Sequence, residues 1–509
     1  MNTNKIIGVI GAGTMGRGIV QLFAEAGYRV RLFDAFTGAA GKALEYIAEM
    51  VGKGVGKGRF SAEQGHRILS SIEVADQLQQ LAGCAVVIEA IVEDLHVKRD
   101  LFAELENILG DEAILASNTS SLVMADIAAG CRIPQRVAGL HFFNPVPLMK
   151  VVEVIAAVRT APSVVAALVA LVESTGHRAV VAADLPGFLV NHAGRGLYTE
   201  GLRIVEEQVA DVADVDRILR EAAGFRMGPF ELLDLTGLDV SGKVMSSIYS
   251  QFLQEPRLRP SPLVPPRISA GLFGRKTGEG WYRYNGAERI EPQALAVPRL
   301  PGALTVWLAP ECEQYDTLLD SIIATGCARV VESAEQASIQ IVQPWGEDAT
   351  TACLRLGLDP QRCIAVDPLG LPGGRVTLMQ TVGTRAEVRD AAHALFATLG
   401  APVTVINDSP GFVLQRVLAT IVNIAADIAQ RRIACVADIE DAVRLGLGYP
   451  CGPLAWGDRI GPKRVLRILR NLHQYTGDPR YRPSLWLVRR AEAGLSLLSE
   501  EPAREAKAV

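Results

Sequence analysis

The sequence predicts an α/β chain that begins with a doubly wound parallel sheet and continues into an all-α domain, a degenerate α/β segment and a second helical copy. Two observations support this prediction. The chain opens with a short apolar strand, a glycine-rich turn and an amphipathic helical pattern, which together form the first βα unit of such a sheet. After residue 185 long helical patterns replace the strands, and motifs among them recur 224 residues later, which indicates a duplication.

Composition places the chain among ordinary globular proteins of about two to four domains. Its 509 residues are 49% hydrophobic and 21% charged, and the net charge of −5 gives no reason to expect a nucleic-acid partner. The eight cysteines form no CxxC pair and no cysteine–histidine ligand spacing, so we expect reduced thiols and no metal site. Because no uninterrupted apolar run of about 18 residues and no cleavage site is found, we expect a cytoplasmic protein without a membrane partner.

The first βα unit predicts a dinucleotide site. Strand 6–10 runs directly into a GxGxxG turn and a helix, so backbone N–H groups and a helix N-terminus would face a pyrophosphate. Strand 29–33 ends in an acid that would accept hydrogen bonds from ribose hydroxyls and repel a 2′-phosphate, which favours NAD over NADP. A glycine turn and an exposed acid in an unrelated α/β unit are the alternative. The predicted cofactor contacts are Gly11, Gly13, Thr14, Met15, Gly16 and Asp34.

A basic, glycine-rich segment interrupts the helical pattern between residues 38 and 72. It covers residues 52–59 and places Lys57 and Arg59 on flexible backbone. Such a loop can hold phosphates outside the dinucleotide site. A solvated turn whose charges serve solubility explains the pattern equally well.

Polar residues also follow the next two predicted strands. Glu93 and Lys98 come after strand 85–89, and the SNTSS segment, residues 117–121, comes after strand 113–116. Ligands bind at the carboxyl ends of parallel strands, so both segments are candidates for the site. The hydroxyl cluster could equally cap a helix.

Residues 141–153, HFFNPVPLMKVVE, form the segment that most strongly indicates chemistry. His141 lies in an aromatic loop with two prolines, and Glu153 interrupts an apolar strand pattern. A carboxylate buried there is costly unless a partner hydrogen-bonds or charges it, and His141 is the nearest candidate. A satisfied structural histidine and an acid on a solvated strand edge are the alternatives.

The motifs, in content and order, resemble those of the L-3-hydroxyacyl-CoA dehydrogenase family over roughly residues 5–285. They are GAGTMGRG, EAIVED, SNTSS, HFFNPVPLMKVVEV, DLPGFLVN and GLFGRKTGEGWY. The resemblance implies NAD-dependent oxidation of a (3S)-3-hydroxyacyl-CoA to the 3-oxoacyl-CoA.

The same resemblance assigns roles to individual residues. His141 matches the catalytic base and Glu153 its partner, while Ser120 and Asn191 match residues that contact the reacting oxygen. Asn191 could instead belong to a helix start after a Pro-Gly pair. Further matches near the cofactor are Glu93, Lys98, Asn118, Ser120 and Asn144, and the matches near CoA are Lys57 and Arg59.

The repeat defines the predicted domains, which are 1–185 for NAD binding, 186–295 for the helical domain, 300–372 for the degenerate α/β segment and 373–498 for the second helical copy. Asp184 and Gly228 recur as Asp408 and Gly452, each within the same short motif. At matching positions His141, Glu153 and Asn191 become Asp367, Thr377 and Gln415. We therefore predict a noncatalytic copy that serves packing, either as the partner in an intrachain pseudo-dimer or within a homodimer.

The layout, with two helical domains and no hydratase domain, resembles the long stand-alone bacterial members of the family. These include 3-hydroxyadipyl-CoA and 3-hydroxybutyryl-CoA dehydrogenases. The resemblance favours hydroxyadipyl-CoA in phenylacetate degradation, whose distal carboxylate would need a cation such as His192 or Arg195. The alternatives are 3-hydroxybutyryl-CoA in fatty-acid β-oxidation or butanoate metabolism, and a noncatalytic NAD-binding protein like the family's crystallin relatives.

Overall fold

The structure is a computed structural model that describes residues 5–302, 304–371 and 374–501. The chain divides into two compact units. The first runs from the start of the described chain to His192 and also includes Arg431–Leu447. The second contains Ala193–Gln430 and the described chain from Gly448 onward.

The first unit is built on an eight-stranded sheet in the order β3-β2-β1-β4-β5-β6-β7-β8. Its strands are β1 Ile6–Ile10, β2 Arg29–Phe33, β3 Ile72–Ala75, β4 Val86–Glu89, β5 Ile114–Ser117, β6 Val137–Phe142, β7 Val151–Ala156 and β8 Arg178–Ala183. All neighbours are parallel except β6 and β7, which are antiparallel because only a short loop joins them. The predicted doubly wound sheet is confirmed, and its apolar strands form a core with the helices.

The helices between these strands are α1 Thr14–Glu25, α2 Ala39–Gly56, α3 Ala62–Ser70, α4 Leu95–Ile108, α5 Met124–Ala128 and α6 Pro162–Glu173. Helix α7 Val190–Ala193 follows β8 and ends at the boundary with the second unit. The prediction of a flexible loop over residues 52–59 is wrong for its first half, since α2 continues through Gly56. Close packing explains why glycine is accepted there. A Cβ at Gly54 would lie 2.8 Å from the Phe60 ring, and one at Gly65 would lie 2.9 Å from Val55.

The second unit begins with helices. They are α8 Arg195–Glu206, α9 Val212–Ala223, α10 Pro229–Thr236, α11 Leu238–Gln251 and α12 Val264–Ser269, followed by the hairpin strands β9 Arg283–Asn285 and β10 Glu288–Ile290. The predicted helix 212–223 is confirmed. The single helical stretch predicted over 229–254 is instead two helices, because Gly237, with φ of +89°, breaks it.

The remainder of the second unit is an α/β segment followed by helices. The elements of this part of the chain are β11 Thr305–Leu308, α13 Tyr315–Thr325, β12 Arg329–Val330, β13 Ile339–Val342, α14 Ala349–Arg355, β14 Cys363–Val366, β15 Val376–Gln380, α15 Ala386–Ala397, β16 Val403–Ile406, α16 Val413–Gln430, α17 Val436–Asp441, α18 Pro453–Ile460, α19 Pro462–Thr476 and α20 Leu485–Ala493, of which α17 belongs to the first unit. Helix α16 is the one helix of the described chain that is long and apolar enough to cross a membrane, and 89% of it is buried within the protein.

The α/β segment forms a six-stranded sheet in the order β12-β11-β13-β14-β15-β16. As in the first sheet, the last three strands combine an antiparallel pair, β14 and β15, with a parallel pair, β15 and β16. The segment is therefore a reduced copy of the first sheet. Because β15 and β16 belong to it, the boundary that we predicted at residue 372 lies inside this sheet and does not separate it from the helical copy.

The strand register relates the two sheets residue by residue. His141 pairs with Glu153 across β6 and β7. In the copy, Val366 pairs with Leu378, and the next residue, Asp367, donates its N–H to Thr377 O at 3.0 Å. Asp367 and Thr377 thus occupy the positions of His141 and Glu153.

The helical copies pack on one another within the second unit. A Cβ at Gly196 of α8 would lie 3.0 Å from Ile421 Cα of α16, so the two backbones approach closely. Arg416 Nε of α16 donates to Glu200 Oε1 of α8 at 2.7 Å, and both side chains are buried.

Two backbone hydrogen bonds join the two copies in a reciprocal way, because each copy donates one bond to the other. In the first unit Ala183 N donates to Ile433 O at 2.8 Å, and in the second unit Asn407 N donates to Val209 O at 2.9 Å. Both donors and both acceptors are related by the 224-residue repeat. Such reciprocal hydrogen bonding is the contact pattern of an isologous two-fold interface.

Candidate active site

The glycine turn after β1 is shaped by close backbone approaches. Gly11 has φ of +100°, and a Cβ there would lie 2.4 Å from Ala90 O. A Cβ at Gly16 would lie 1.7 Å from Gly11 O, so neither position accepts a side chain. By contrast, apart from Gly13 and its two chain neighbours, no atom of the described chain lies within 4 Å of a Cβ built at Gly13. The turn therefore leaves open space in front of α1, which begins at Thr14.

Asp34 holds this turn against the end of β2. Its Oδ2 accepts a hydrogen bond from Ala12 N at 2.7 Å, and its Oδ1 accepts one from Phe36 N at 2.8 Å. The half-buried carboxylate thus lies beside the open turn, as the NAD prediction requires. The residues fit the dinucleotide, whose pyrophosphate would lie at Gly13 and the start of α1 and whose ribose would lie at Asp34. When bound, NAD supplies the hydride acceptor.

Lys98 lies in a buried ionic cluster at the carboxyl end of β4. Its Nζ donates to Glu89 Oε1 at 2.6 Å and lies 3.2 Å from Glu93 Oε2. Glu89, which is not exposed at all, also accepts from Ser117 Oγ at 2.7 Å. Our reading of the sequence missed Glu89. The same signal that identified Glu153, an acid within an apolar strand, could have found it.

Glu93 is the hydrogen-bond acceptor for the hydroxyl cluster that follows β5, residues 117–121. It accepts hydrogen bonds from Thr119 Oγ1 at 2.6 Å, Ser121 Oγ at 2.9 Å and Ser120 N at 3.1 Å. Burial alone would raise the pKa of Glu93, but the bond from Thr119, the charge of Lys98 and the bond from Ser121 outweigh burial and lower the pKa. The cluster therefore surrounds the Glu93 carboxylate, whereas the helix-cap alternative predicted that it binds the start of a helix. Ser120 stays exposed.

His141 and Glu153 form a buried pair across β6 and β7. Nδ1 of the imidazole lies 2.6 Å from Glu153 Oε2, and the residues are 5% and 0% exposed. The other carboxylate oxygen accepts from Leu189 N and Val190 N, both at 2.8 Å. One carboxylate therefore fixes the imidazole and the start of α7, which carries Asn191.

Aromatic rings flank the imidazole. The Phe143 ring centroid lies 4.5 Å from that of His141, and the Phe188 centroid lies 5.8 Å away. With Nδ1 held by Glu153 as a proton donor, Nε2 is left as the acceptor for a proton. Asn118 ties the hydroxyl cluster to the same strand, since its Oδ1 accepts from Phe142 N at 2.8 Å.

Other predicted site residues lie apart from this arrangement. Lys57 is exposed at the end of α2, and Arg59 pairs with Glu25 at 2.5 Å. Asn144 is exposed in the loop between β6 and β7. Of the two cations considered for a distal carboxylate, His192 is buried in the first unit, and Arg195 is buried in the second, where its guanidinium lies 4.9 Å from the centre of the Tyr198 ring.

Comparison with known proteins places this geometry in a family. The model of the 3-hydroxyacyl-CoA dehydrogenase NAD-binding domain matches residues 6–185, and that of the 3-hydroxyacyl-CoA dehydrogenase C-terminal domain matches residues 187–284 and 411–500. The C-terminal domain therefore matches twice, as the repeat predicts.

Relatives match the chain at full length and at half length. The 3-hydroxyadipyl-CoA dehydrogenase of Escherichia coli (strain K12) is 36% identical over 488 residues, which cover 96% of this chain and 97% of that protein. A probable 3-hydroxybutyryl-CoA dehydrogenase of Bacillus subtilis (strain 168) is 37% identical over 280 residues, 55% of this chain and 97% of that protein. The solved structure of 3-hydroxybutyryl-CoA dehydrogenase from Escherichia coli K12 superposes with a TM-score of 0.85 at 35% identity, covering 96% of this chain and 98% of that one.

These matches agree with the predicted NAD cofactor and CoA-thioester substrate. The chain is an NAD-dependent oxidoreductase that converts 3-hydroxyacyl-CoA to 3-oxoacyl-CoA. It belongs to the 3-hydroxyacyl-CoA dehydrogenase family.

Proposed function

We propose that His141 is the base of this reaction. Loss of hydride from C3 would leave positive charge on the carbon unless the hydroxyl proton leaves too, so a base must reach O3. The observation that carries the proposal is the 2.6 Å contact between His141 Nδ1 and Glu153, because it holds the tautomer whose Nε2 can accept that proton. Glu153 then stabilises the imidazolium that forms.

Ser120 and Asn191 hold the reacting oxygen in this scheme. Ser120 is exposed beside the Glu93 cluster, and Asn191 follows the two N–H groups that bind Glu153. Two donors on the oxygen would keep C3 oriented while the proton leaves. Lys98 and Glu93 act as positioning residues that fix the serine segment, and Lys57 and Arg59 remain candidates for CoA contact.

The test of this assignment is His141→Ala. We expect kcat to fall by about 10²–10⁴-fold, the usual contribution of a general base, with little change in NAD affinity. NADH formation followed at 340 nm measures the rate. The control is His177→Ala, which removes another buried histidine of the same unit that lies outside the site. A wild-type rate in His141→Ala would remove the mechanism.

For the acyl group we propose 3-hydroxyadipyl-CoA. Support comes from the full-length relative that is named for this substrate. 3-Hydroxybutyryl-CoA is the second candidate, since a solved structure of equal extent carries that name. The distal carboxylate would bind near His192 or Arg195. Comparison of kcat/KM for the two thioesters decides between them, and a strong preference for the C4 thioester would exclude the first.

We also propose that the protein works in the cytoplasm and that its second helical domain takes the place of a subunit partner. The reciprocal hydrogen bonds at Ala183 and Asn407 support the latter proposal.

A further inference from the structure

Residues 431–447 of the second helical copy belong to the first unit and cover β8 there. Asp438 and Asp441 of α17 pair with the Arg178 guanidinium at 2.6 and 2.9 Å. Asp438 also accepts a hydrogen bond from Val181 N at 3.0 Å. Charge-assisted bonds of this kind are short and directional, so they hold α17 on β8 in one position.

The segment ends in a turn that lies close to α7. Directly after α17 the chain forms a single π-helical turn, Ala442–Gly446, and such turns are frequent at functional sites. A Cβ built at Gly446 would lie 3.1 Å from both Cγ atoms of Val190 and 3.3 Å from Val151 Cγ1, closer than the optimal carbon–carbon contact of about 3.5–4.0 Å. Gly446 is not among the residues with positive φ, so packing and not backbone strain favours glycine there.

Val190 and Val151 are both neighbours of the proposed catalytic pair. Val190 begins α7, and its N–H donates to Glu153 Oε1 at 2.8 Å. Val151 lies two residues before Glu153 in β7, so the two side chains are on one face of the sheet. The other oxygen of Glu153 contacts His141 Nδ1 at 2.6 Å. Gly446 is therefore connected to the proposed base through Val190 and Glu153.

The Glu153 carboxylate depends on the position of α7. It is fully buried, and its Oε1 accepts hydrogen bonds from Leu189 N and Val190 N. Loss of one of these bonds would leave a buried charge poorly satisfied, which is costly. Asn191 would move together with Val190, and displacement of a catalytic group by about 1 Å can lower a rate by about 10²-fold. A small shift of Val190 would therefore disturb two groups of the site at once.

We propose that Gly446 is a positioning residue of the dehydrogenase site. Because Gly446 has no side chain, Val190 can lie where its N–H binds Glu153 and where the following Asn191 meets the reacting oxygen. The second helical copy thus contributes to the reaction of the first through this contact. The inference rests on the roles proposed above for His141, Glu153 and Asn191.

The test is steady-state kinetics of Gly446→Val and of the double variant Gly446→Val/Val190→Ala in the full-length protein. The added side chain should displace Val190, so kcat should fall by about 10- to 100-fold. The KM for NAD should stay within about twofold, because the cofactor turn and Asp34 lie at other strand ends. Val190→Ala removes two methyl groups beside the added side chain and keeps the N–H. The double variant should therefore exceed Gly446→Val in kcat by about fivefold or more.

A matched control and a milder variant complete the test. Ala222 of α9 precedes Gly446 by the repeat interval and lines a cavity of the second unit, so a larger side chain has room there. Ala222→Val should leave kcat within about twofold. Gly446→Ala adds one methyl group and should lower kcat by about two- to tenfold. Thermal unfolding shows which variants are folded, and Gly446→Ala carries the test if Gly446→Val is not.

The outcomes separate this inference from the proposed function. Wild-type kcat in the folded variant at Gly446, a double variant no more active than Gly446→Val, or an equal loss in Ala222→Val would overturn the inference. If His141→Ala is impaired while Gly446→Val keeps the wild-type rate, only the role of Gly446 is wrong. Wild-type activity in His141→Ala would instead contradict the proposed base.

Discussion

Two strand pairs of this chain share one register and differ in chemistry. In β6 and β7, His141 faces a carboxylate that is itself held by two backbone N–H groups. In β14 and β15, Asp367 faces Thr377 and takes its side-chain bond from Gln415. The strand pairing is the same in both copies, while the histidine and the carboxylate are present only in the first. The comparison shows that the strand pairing accepts other residues at these two positions, which supports the proposal that His141 and Glu153 serve the reaction and not folding.

If the second copy carries structure and not chemistry, its deletion should have the largest effect on stability. A fragment of residues 1–295 lacks residues 431–447, which cover β8 through the bond from Ala183 N to Ile433 O and the 2.6 Å pair of Arg178 with Asp438. We expect the fragment to associate or to unfold at a lower temperature than the full chain. Sedimentation and thermal unfolding measure this, and a monomeric, fully active fragment would show that the second copy is dispensable.

Substitutions in the β6–β7 pair should lower activity, and those in the β14–β15 pair should not. Glu153→Gln keeps an acceptor for Leu189 N and Val190 N but removes the charge beside His141, so kcat should fall by about 10- to 100-fold, the worth of a charged hydrogen bond. Thr377→Val is the matched change in the copy and should leave kcat within about twofold. A comparable loss in both variants would mean that the second pair also contributes to turnover.

The smallest expected effect concerns the pH dependence of stability. Burial raises the pKa of Asp367 to about 7, against about 3.9 in an unfolded chain. Between these values the folded state holds a proton that the unfolded state has lost, so the stability contributed by this group falls as pH rises from about 4 to 7. Asp367→Asn removes this dependence.

Urea unfolding at pH 5 and pH 8 measures the difference. The stability of Asp367→Asn relative to the unsubstituted chain should increase by about 1–3 kcal/mol at the higher pH. Asp216, whose pKa burial likewise raises to about 7, is unchanged in both proteins and cancels in the comparison. A pH-independent difference between the two proteins would contradict the assignment.

Local patterns predicted much of the fold. Strands β1 and β2 and helix α9 lie at the predicted residues, because an apolar run or an amphipathic period defines each one without help from distant contacts. The glycines of α2 misled the prediction, since the close packing of Gly54 against Phe60 is not visible in the local pattern. The extent of the second sheet was also missed, because β16 resembles any short apolar run until its pairing with β15 is known.

The residues of the candidate site also divide into those that local patterns predict and those whose contacts depend on the folded structure. Glu153 and Asp34 could be identified from their positions relative to strands. His141 was identified as the candidate nearest to Glu153, but its predicted position in a loop is wrong, since it lies in β6. The buried pairing of Glu89 with Lys98 could not, because the loop after β4 and the first turn of α4 bring the two side chains together. The role of Glu93 as the acceptor for the hydroxyl cluster likewise depends on the conformation of the two loops after β4 and β5, which the sequence pattern does not define.

The position of residues 431–447 in the first unit bears on how the protein is made. The last residues of that unit, Arg431–Leu447, leave the ribosome long after His192, with the whole of the second sheet synthesised in between. At a synthesis rate of about 5–20 residues per second, β8 is made on the order of 10–50 s before residues 431–447, which pack against it. The nascent dehydrogenase domain therefore carries an uncovered strand edge during translation, at the stage when a chaperone or a second nascent chain could pair with it.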